Sequence, residues 1–270
     1  MNRGLLDLAR KEFLVLGMAS ARAFRYVAQV FQTIDQLIYR VFPHVFLEIM
    51  RKYFRLKVEG LENIPRRGPA LIAPNHSGYL GFDSFLLAHE IQKGCGRLPR
   101  ILTHHLWFRS RTTATPMQKA GFVEATMASG LEQLNKNNLL IVFPEGESGN
   151  FKPSVKRYHL QPFKSGFIRM ALLRQCPIVP TLVIGAEETH INLTRINLPK
   201  RLRGLMLPLP LNVIPLPAKW KIVFLSPITL PYKASAADDR ELVREIAGEL
   251  REEMQRALSN EIARRGSIFF

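Results

Sequence analysis

One histidine and one aspartate stand close together in the sequence, where an apolar run ends. The segment LIAPNHSGYLGFD, residues 71–83, contains His76 and Asp83 with two glycines between them. A histidine that a carboxylate orients can act as a general base, provided that the two side chains meet in a cleft. Each residue also has an ordinary structural explanation, since a buried histidine often only satisfies hydrogen bonds and an aspartate often caps a helix. The pair is the first candidate for chemistry in the chain.

Two further segments carry polar residues beside apolar runs. LLIVFPEGESG, residues 139–149, ends in a turn that contains Glu145. FKSG, residues 163–166, places Lys164 just before an apolar stretch with a helical pattern. A helix N-terminus beside a lysine is a suitable anion site, whereas a lone glutamate at a turn often only accepts backbone hydrogen bonds. Two strand ends with polar turns favour a cleft more strongly than either one alone.

The scaffold that must position these residues is predicted by the order of the remaining elements. Runs of strand length alternate with helical patterns: strands at 70–73, 101–103, 139–143, 178–184 and 220–224, and helices at 84–91, 129–135, 167–174 and 238–265. Such alternation predicts an α/β fold with a mixed, largely parallel central sheet flanked by helices. Sites in such sheets lie at the carboxyl ends of strands, where His76 and Glu145 stand. Without an internal repeat or a low-complexity linker, residues 55–270 are predicted to form one domain.

The N-terminal residues 1–54 are predicted to form two amphipathic helices that meet at Pro43, as an extension of the α/β domain. Apolar stripes alternate there with basic residues, which suits either a helical pair lying on a membrane or a hairpin packed on the domain. We expect no signal peptide, because the apolar run at 13–21 is short and lacks a cleavage site. No apolar stretch there approaches the roughly 20 residues that span a bilayer.

A proline-rich apolar segment, LMLPLPLNVIPLP, occupies residues 205–217. It has too many prolines for a helix or a central strand, and too many aliphatic residues for a solvated loop. We expect it to lie on an apolar surface. The protein core is favoured over the two alternatives, a bilayer surface and an acyl chain.

The charge balance indicates an anionic partner. Thirty-eight Lys and Arg residues against 22 Asp and Glu residues give a formal net charge of +16. Nucleic acid, a phosphorylated substrate and an anionic membrane surface all fit that charge. Zinc-ligand spacing, RNA-stacking aromatics and a helix-turn-helix pattern are all missing from the sequence, so we expect no nucleic-acid partner. The two cysteines, Cys95 and Cys176, predict no disulfide framework and suit a reducing compartment.

Four motifs in order, NHSGYLGFD, FPEGESG, FKSG and PIVPTLVIGAEE, resemble those of the glycerophospholipid acyltransferase superfamily, of the lysophosphatidic acid acyltransferase type. The resemblance covers roughly residues 56–189. It implies transfer of a fatty acyl group from acyl-CoA or acyl carrier protein to a free hydroxyl of a lysophospholipid such as 1-acyl-glycerol-3-phosphate. The thioester would be a co-substrate, and no metal or other cofactor is expected. The resemblance also implies monotopic attachment to an anionic membrane surface, on the cytoplasmic face of a bacterial inner membrane.

The resemblance assigns roles to individual residues. His76 would be the general base and Asp83 its orienting carboxylate. Glu145, Gly146 and Ser148 would belong to the acceptor-binding motif. The remaining predicted substrate-binding residues are the two neighbours of His76 and the lysine of the third motif: Asn75, Ser77 and Lys164.

The sequence also departs from the family pattern at three places. Six residues rather than four separate His76 from Asp83. The segment GFVEAT, residues 121–126, matches a further motif of the family that commonly ends in arginine, but it offers Glu124 instead. Glu147 and Ser148 follow the Pro-Glu-Gly turn, where a neutral residue and arginine are usual. Because bidentate recognition of phosphate favours arginine, these changes weaken the case for a bare phosphate acceptor.

Alternatives to that acceptor and to catalysis remain open. Lys164, Lys152 or Arg157 are candidates to replace the missing arginines as point charges. A different glycerolipid or an aminolipid is an alternative acceptor, and a non-catalytic lipid-binding membrane protein is an alternative function. An esterase is disfavoured, because the sequence contains no Gly-x-Ser-x-Gly nucleophile turn.

Overall fold

The computed structural model describes Gln29, Gln32 and residues 36–76, 81–197 and 206–269. The chain divides into two compact units, Met1–Phe46 and Leu47–Phe270. In the first unit the described chain contains a π-helical turn, Leu37–Val41, followed by the start of helix α1, Phe42–Tyr53. Most of the long helix predicted before Pro43 lies outside the described residues. Among the described helices, none is both long and apolar enough to cross a membrane.

The second unit contains the sheet and most of the helices. Its strands are β1 Lys57–Glu59, β2 Ala70–Pro74, β3 Arg100–Thr103, β4 Phe122–Glu124, β5 Leu139–Ile141, β6 Ile178–Ile184, β7 Asn192–Asn197, β8 Met206–Pro210 and β9 Lys221–Phe224. The helices that follow α1 are α2 Phe82–Cys95, α3 Arg111–Lys119, α4 Met127–Asn135, α5 Glu147–Asn150, α6 Gly166–Arg174, α7 Ala186–Thr189 and α8 Arg240–Ala263. Short 3₁₀ turns lie at Leu61–Asn63, His105–Phe108, Ser154–Lys156 and Ala234–Asp238.

Seven strands form one sheet in the order β1-β9-β6-β2-β5-β3-β4. Strands β6, β2, β5, β3 and β4 run parallel to one another, and β9 pairs antiparallel with β6 while lying parallel to β1. The predicted mixed and largely parallel α/β sheet is therefore confirmed. Its parallel strands all end at the same edge, which brings the turns after β2, β3 and β5 to one side of the molecule.

The sheet is buried on both faces, which explains why β2 reads as an unbroken apolar run. Successive side chains of a strand point to opposite faces. Leu71 and Ala73 accordingly join one core cluster, and Ala70 and Ile72 join the other. Apolar side chains of α4, α6 and α8 contribute to the first cluster, and those of α2 contribute to the second.

Residues 47–54 contribute apolar side chains to the core of the second unit, and the functional boundary predicted at residue 54 stays a prediction. Leu47, Met50 and Phe54 are buried and belong to the core cluster that contains Ile72. The intervening Ile49 and Tyr53 are exposed, so the second half of α1 is amphipathic, as its sequence indicates.

The proline-rich segment does not enter the core. Strand β8 pairs antiparallel with β7 in a separate two-stranded sheet. Of its aliphatic residues, Val213 is 70% exposed and Ile214 is 79% exposed. Prolines lack the N–H that a central strand donates, so such a segment can pair only at an edge. The expectation that favoured the core is wrong.

Candidate active site

Asn75 fixes the end of β2 against β6. Its side chain is fully buried, and Nδ2 donates to the carbonyl oxygen of Val183 at 3.0 Å. The Val183 N–H donates in turn to Asn75 Oδ1 at 2.7 Å. An asparagine amide can satisfy one donor and one acceptor of a backbone in this way. Asn75 therefore connects two parallel strands through its side chain and fixes the backbone position at which His76 follows β2.

His76 and Asp83 meet as the spacing argument requires. His76 Nδ1 lies 2.6 Å from Asp83 Oδ2, and the Asp83 side chain is fully buried in the first turn of α2. The Ser84 N–H donates to Asp83 Oδ1 at 2.8 Å, which holds the carboxylate in place. Gly81 precedes the helix with a φ of 69°, a left-handed conformation that glycine adopts without strain. The N-terminus of α2 also favours a negative charge at this position.

The ring of His76 is held on two further sides. It stacks on Phe143 with 4.0 Å between ring centroids and 28° between ring planes. The His76 backbone N–H donates to Glu145 Oε1 at 2.9 Å. Nδ1 is engaged by Asp83, so Nε2 is the nitrogen left for a reacting proton. His76 is 15% exposed and lines a cavity, as a general base must.

Glu145 is a buried organiser of the turn after β5. Its Oε2 accepts from the Gln161 N–H at 2.6 Å, so the carboxylate ties the His76 backbone to the segment before α6. Lys152 Nζ lies 3.6 Å from Glu145 Oε2 and 2.8 Å from Glu187 Oε1. One buried cation therefore serves two buried carboxylates. Burial raises the pKa of Glu187 to about 7, and Lys152 opposes that rise.

The cavity beside His76 has a volume of about 800 Å³. Its walls include apolar side chains from β3, from the turn after β5 and from α6: Leu102, Val142, Phe143, Phe167 and Met170. An apolar cavity of that size with a few polar groups is typical of a small-molecule site. The cavity therefore suits a substrate with a fatty chain and a polar group.

Gly146 and Lys164 lie together on the cavity wall. Gly146 has φ 56° and ψ −145°, a conformation that is nearly restricted to glycine. A Cβ atom on Gly146 would lie 2.9 Å from Lys164 Nζ, so the lysine crosses directly over this glycine. The described residues give Lys164 Nζ no hydrogen bond or ion pair, which leaves its charge for an anion.

His104 is a cavity residue that the sequence analysis missed. It follows the end of β3, and its Nε2 lies 3.0 Å from Glu147 Oε1. The Leu106 N–H donates to His104 Nδ1 at 3.2 Å, which places the ring proton on Nε2 when the ring is neutral. Burial lowers the pKa of His104, and the nearby Glu147 carboxylate opposes that change. The available signal was the Thr103–His104 pair at the end of an apolar run, the same pattern that drew attention to His76.

The predicted site residues divide into three groups. His76, Gly146 and Lys164 line the cavity. The two buried carboxylates bond to His76, Asp83 at the ring Nδ1 and Glu145 at the backbone N–H. Neither Asn75 nor Ser148 is among the described lining residues: Asn75 is buried and bonded to Val183, and Ser148 lies in α5.

Ser77 lies outside the described residues, and the predicted substrate contacts of all these residues stay predictions. No group of three His, Cys, Asp or Glu side chains in the described part of the chain is arranged to hold a metal ion.

Comparison with known proteins finds a matching family model, related sequences and a solved structure with a similar fold. A family model described as Acyltransferase matches residues 55–184. An uncharacterized protein of Mycobacterium tuberculosis is 37% identical over 233 residues, and one of Mycobacterium leprae is 36% identical over the same length. The first alignment covers 82% of this chain but only 65% of the tuberculosis protein, so the chain spans somewhat less than two thirds of that relative.

Two named enzymes also match. The 1-acyl-sn-glycerol-3-phosphate acyltransferase of Cocos nucifera is 30% identical over 150 residues, which cover 50% of this chain and 42% of that protein. The crystal structure of PlsC, a 1-acyl-sn-glycerophosphate acyltransferase from Thermotoga maritima, superposes with a TM-score of 0.56 at 16% identity. That superposition covers 87% of this chain and 84% of PlsC, and it supports the fold.

Proposed function

Since this chain belongs to the glycerophospholipid acyltransferase superfamily, we propose that it transfers a fatty acyl group from a thioester to a free hydroxyl of a lysophospholipid. The observation that carries the proposal is the buried His76–Asp83 contact of 2.6 Å at the wall of a mainly apolar cavity. A lipid-binding protein without catalysis has no need of a general base held in this way. The thioester donor is acyl-CoA or acyl carrier protein.

The proposed reaction needs one proton to move twice. His76 Nε2 takes the proton of the acceptor hydroxyl as its oxygen attacks the thioester carbonyl carbon. The tetrahedral intermediate then collapses, the C–S bond breaks, and the imidazolium returns the proton to the departing thiolate. Asp83 fixes the ring orientation and stabilises the imidazolium while it exists. The products are an acylated phospholipid and a free thiol, with no covalent enzyme intermediate.

Substrate binding is assigned to the apolar side chains of the cavity and to its lysine. The apolar side chains offer a low-dielectric contact for acyl chains, as in other lipid-sized pockets. Lys164 provides a point charge for a phosphate group. Glu145 positions the backbone of His76.

Membrane attachment belongs to the same proposal. The substrates are membrane lipids, and the formal charge of +16 favours an anionic surface. Exposed apolar residues on α1 include Phe42 at 68% and Ile49 at 59% exposure. We assign residues 1–54 to monotopic attachment and residues 55–270 to catalysis, at the cytoplasmic face of a bacterial inner membrane.

The test is transfer of a labelled acyl chain. Purified full-length protein is incubated with labelled acyl-CoA and, separately, labelled acyl carrier protein, together with lysophospholipids in mixed micelles. Labelled diacyl phospholipid that accumulates in proportion to enzyme supports the proposal. Lipid binding without product would instead support a non-catalytic lipid-binding protein. Labelled free fatty acid formed without any acceptor would indicate a thioesterase.

A further inference from the structure

The charged groups on the cavity wall are few and balanced. Of the described residues that line the cavity, Lys164 is the one with a permanent positive charge and Glu147 is the one with a carboxylate. The other ionisable side chains there are the two histidines, His76 and His104. The described lining contains no arginine. A phosphomonoester, which carries up to two negative charges, would meet one cation and one anion in this cavity.

Glu147 lies beside His104, whose Nε2 is 3.0 Å from Glu147 Oε1. The Leu106 N–H donates to His104 Nδ1, so the neutral ring presents an N–H, rather than a positive charge, to Glu147 Oε1. Burial lowers the pKa of His104, and this effect exceeds the opposite effect of the Glu147 carboxylate, so the neutral form is favoured. The Glu147 side chain is 28% exposed, and Oε2 has no hydrogen-bond partner among the described residues. One carboxylate oxygen therefore remains for a ligand.

Lys164 and Glu147 both adjoin Gly146 and line the same cavity. Lys164 crosses over Gly146, and Glu147 is the next residue in the chain. A ligand phosphate that contacts Lys164 therefore lies close to a carboxylate. Like charges brought together in a binding site cost several kcal/mol, whereas an ammonium group beside that carboxylate is favourable. The two side chains together complement a phosphate that carries a nearby amine.

From this arrangement we propose that the acceptor is a zwitterionic lysophospholipid, a phosphodiester whose head group ends in an amine, with its phosphate on Lys164 and its ammonium on Glu147. This inference rests on the proposed acyl transfer and specifies its acceptor. It makes Glu147 a residue that determines head-group specificity, and His104 a positioning residue that orients the Glu147 carboxylate through its Nε2 proton.

The first measurement compares acceptors that differ only in the head group. Wild-type protein is assayed with 1-acyl-glycerol-3-phosphate, 1-acyl-glycerophosphoglycerol and 1-acyl-glycerophosphoethanolamine of one chain length. We expect kcat/KM for the ethanolamine lipid to exceed that for the other two by about tenfold or more, the effect of one favourable charge contact. A higher kcat/KM for either of the other acceptors overturns the inference while the proposed function stands. Acylation of none of the three contradicts the proposed function itself.

The second measurement reverses the charge at the carboxylate. Glu147→Arg is expected to lower kcat/KM for the ethanolamine lipid and raise it for the phosphomonoester, moving their ratio by about a hundredfold, since repulsion replaces attraction at one charged group. Glu147→Gln, a nearly isosteric change, is expected to shift the ratio in the same direction by less.

Glu253→Arg is the matched control, because Glu253 lies exposed on α8 outside the cavity lining and receives the same change of charge. Its acceptor ratio is expected to equal that of the wild type. Equal ratios for the wild type and both folded Glu147 variants overturn the inference.

Discussion

Nδ1 of His76 lies 2.6 Å from Oδ2 of Asp83, although six residues separate them in the sequence. The contact is possible because Gly81 adopts a left-handed conformation and α2 begins at once, which turns Asp83 back toward the end of β2. The carboxylate is fully buried and its other oxygen accepts from Ser84 N–H. The longer spacing therefore still delivers the paired geometry that a general base requires.

Replacement of Asp83 by asparagine is expected to lower kcat by about 10³–10⁴-fold, because the neutral amide neither stabilises an imidazolium nor fixes the same ring tautomer. Asn is nearly isosteric, and its Oδ1 can still accept from Ser84 N–H. KM and the unfolding temperature should therefore change little. Steady-state kinetics and a thermal unfolding curve measure these quantities. A variant that retains more than a tenth of the wild-type kcat would contradict the assigned role.

Glu145→Gln tests the two hydrogen bonds that Glu145 accepts from the His76 and Gln161 backbone N–H groups. A glutamine offers one acceptor oxygen where the carboxylate offers two, so either the His76 or the Gln161 N–H loses its partner. We expect a loss of about 1–3 kcal/mol in the free energy of unfolding, with a lower kcat because His76 is displaced. Urea unfolding and initial rates provide both values. Glu132→Gln, at a position that is 60% exposed, is the control and should change stability by less than about 0.5 kcal/mol.

Asn75→Ala removes the two side-chain hydrogen bonds that connect the end of β2 with Val183 of β6. It leaves the buried N–H and carbonyl of Val183 without partners. The expected cost in the free energy of unfolding is about 2–5 kcal/mol, from two unsatisfied buried groups. Chemical denaturation measures it directly. A change below about 0.5 kcal/mol would mean that Asn75 does not hold the strands together.

Stability should depend on pH through Glu187. Burial raises its pKa from 4.5 to about 7. Between those pH values the folded protein holds a proton that the unfolded chain has released. The stabilisation contributed by protonated Glu187 is therefore complete below pH 4.5 and is lost as the pH rises toward 7. Each unit of displacement corresponds to about 1.4 kcal/mol.

The Glu187→Gln variant cannot titrate, so it isolates that contribution. The stability of the wild type relative to the variant should fall between pH 4.5 and pH 7. Lys152 and Glu145 lie near Glu187. Both are present in the two proteins, so their own titration does not produce the difference in stability. Urea unfolding at several pH values measures the two profiles. Parallel profiles for the two proteins would exclude Glu187 as the source.

Local features of the site were predictable from sequence, and features that depend on strand register were not. His76 lies two residues after β2 and Asp83 lies in the first turn of α2, so their residue types and close spacing in the sequence suffice to predict the pair. His104 and Glu147 meet only because β3 pairs with β5 in a register that places Ile101 opposite Ile141. The bonds between Asn75 and Val183 depend in the same way on the pairing of β2 with β6. Single-sequence patterns do not specify the register of such distant strands.

Among the secondary-structure elements, α3 shows why a helix was missed. No helix is predicted from the sequence between residues 103 and 129, and proline and the three threonines of this segment are poor helix formers. The structure caps the helix at Ser110, whose side chain accepts from the Thr112 N–H. The central sheet was predictable because strands buried on both faces are continuously apolar.

General-base catalysis by His76 is tested most directly by the initial rate of labelled acyl transfer by His76→Ala, compared with the wild type and with His159→Ala. His159 is exposed and does not line the cavity, so its variant serves as a matched histidine control. His76→Ala is expected to lose at least about 10²–10⁴-fold in rate, the usual contribution of a general base, while unfolding at the wild-type temperature. His159→Ala should keep the wild-type rate. A folded His76→Ala protein as active as the wild type would contradict the mechanism.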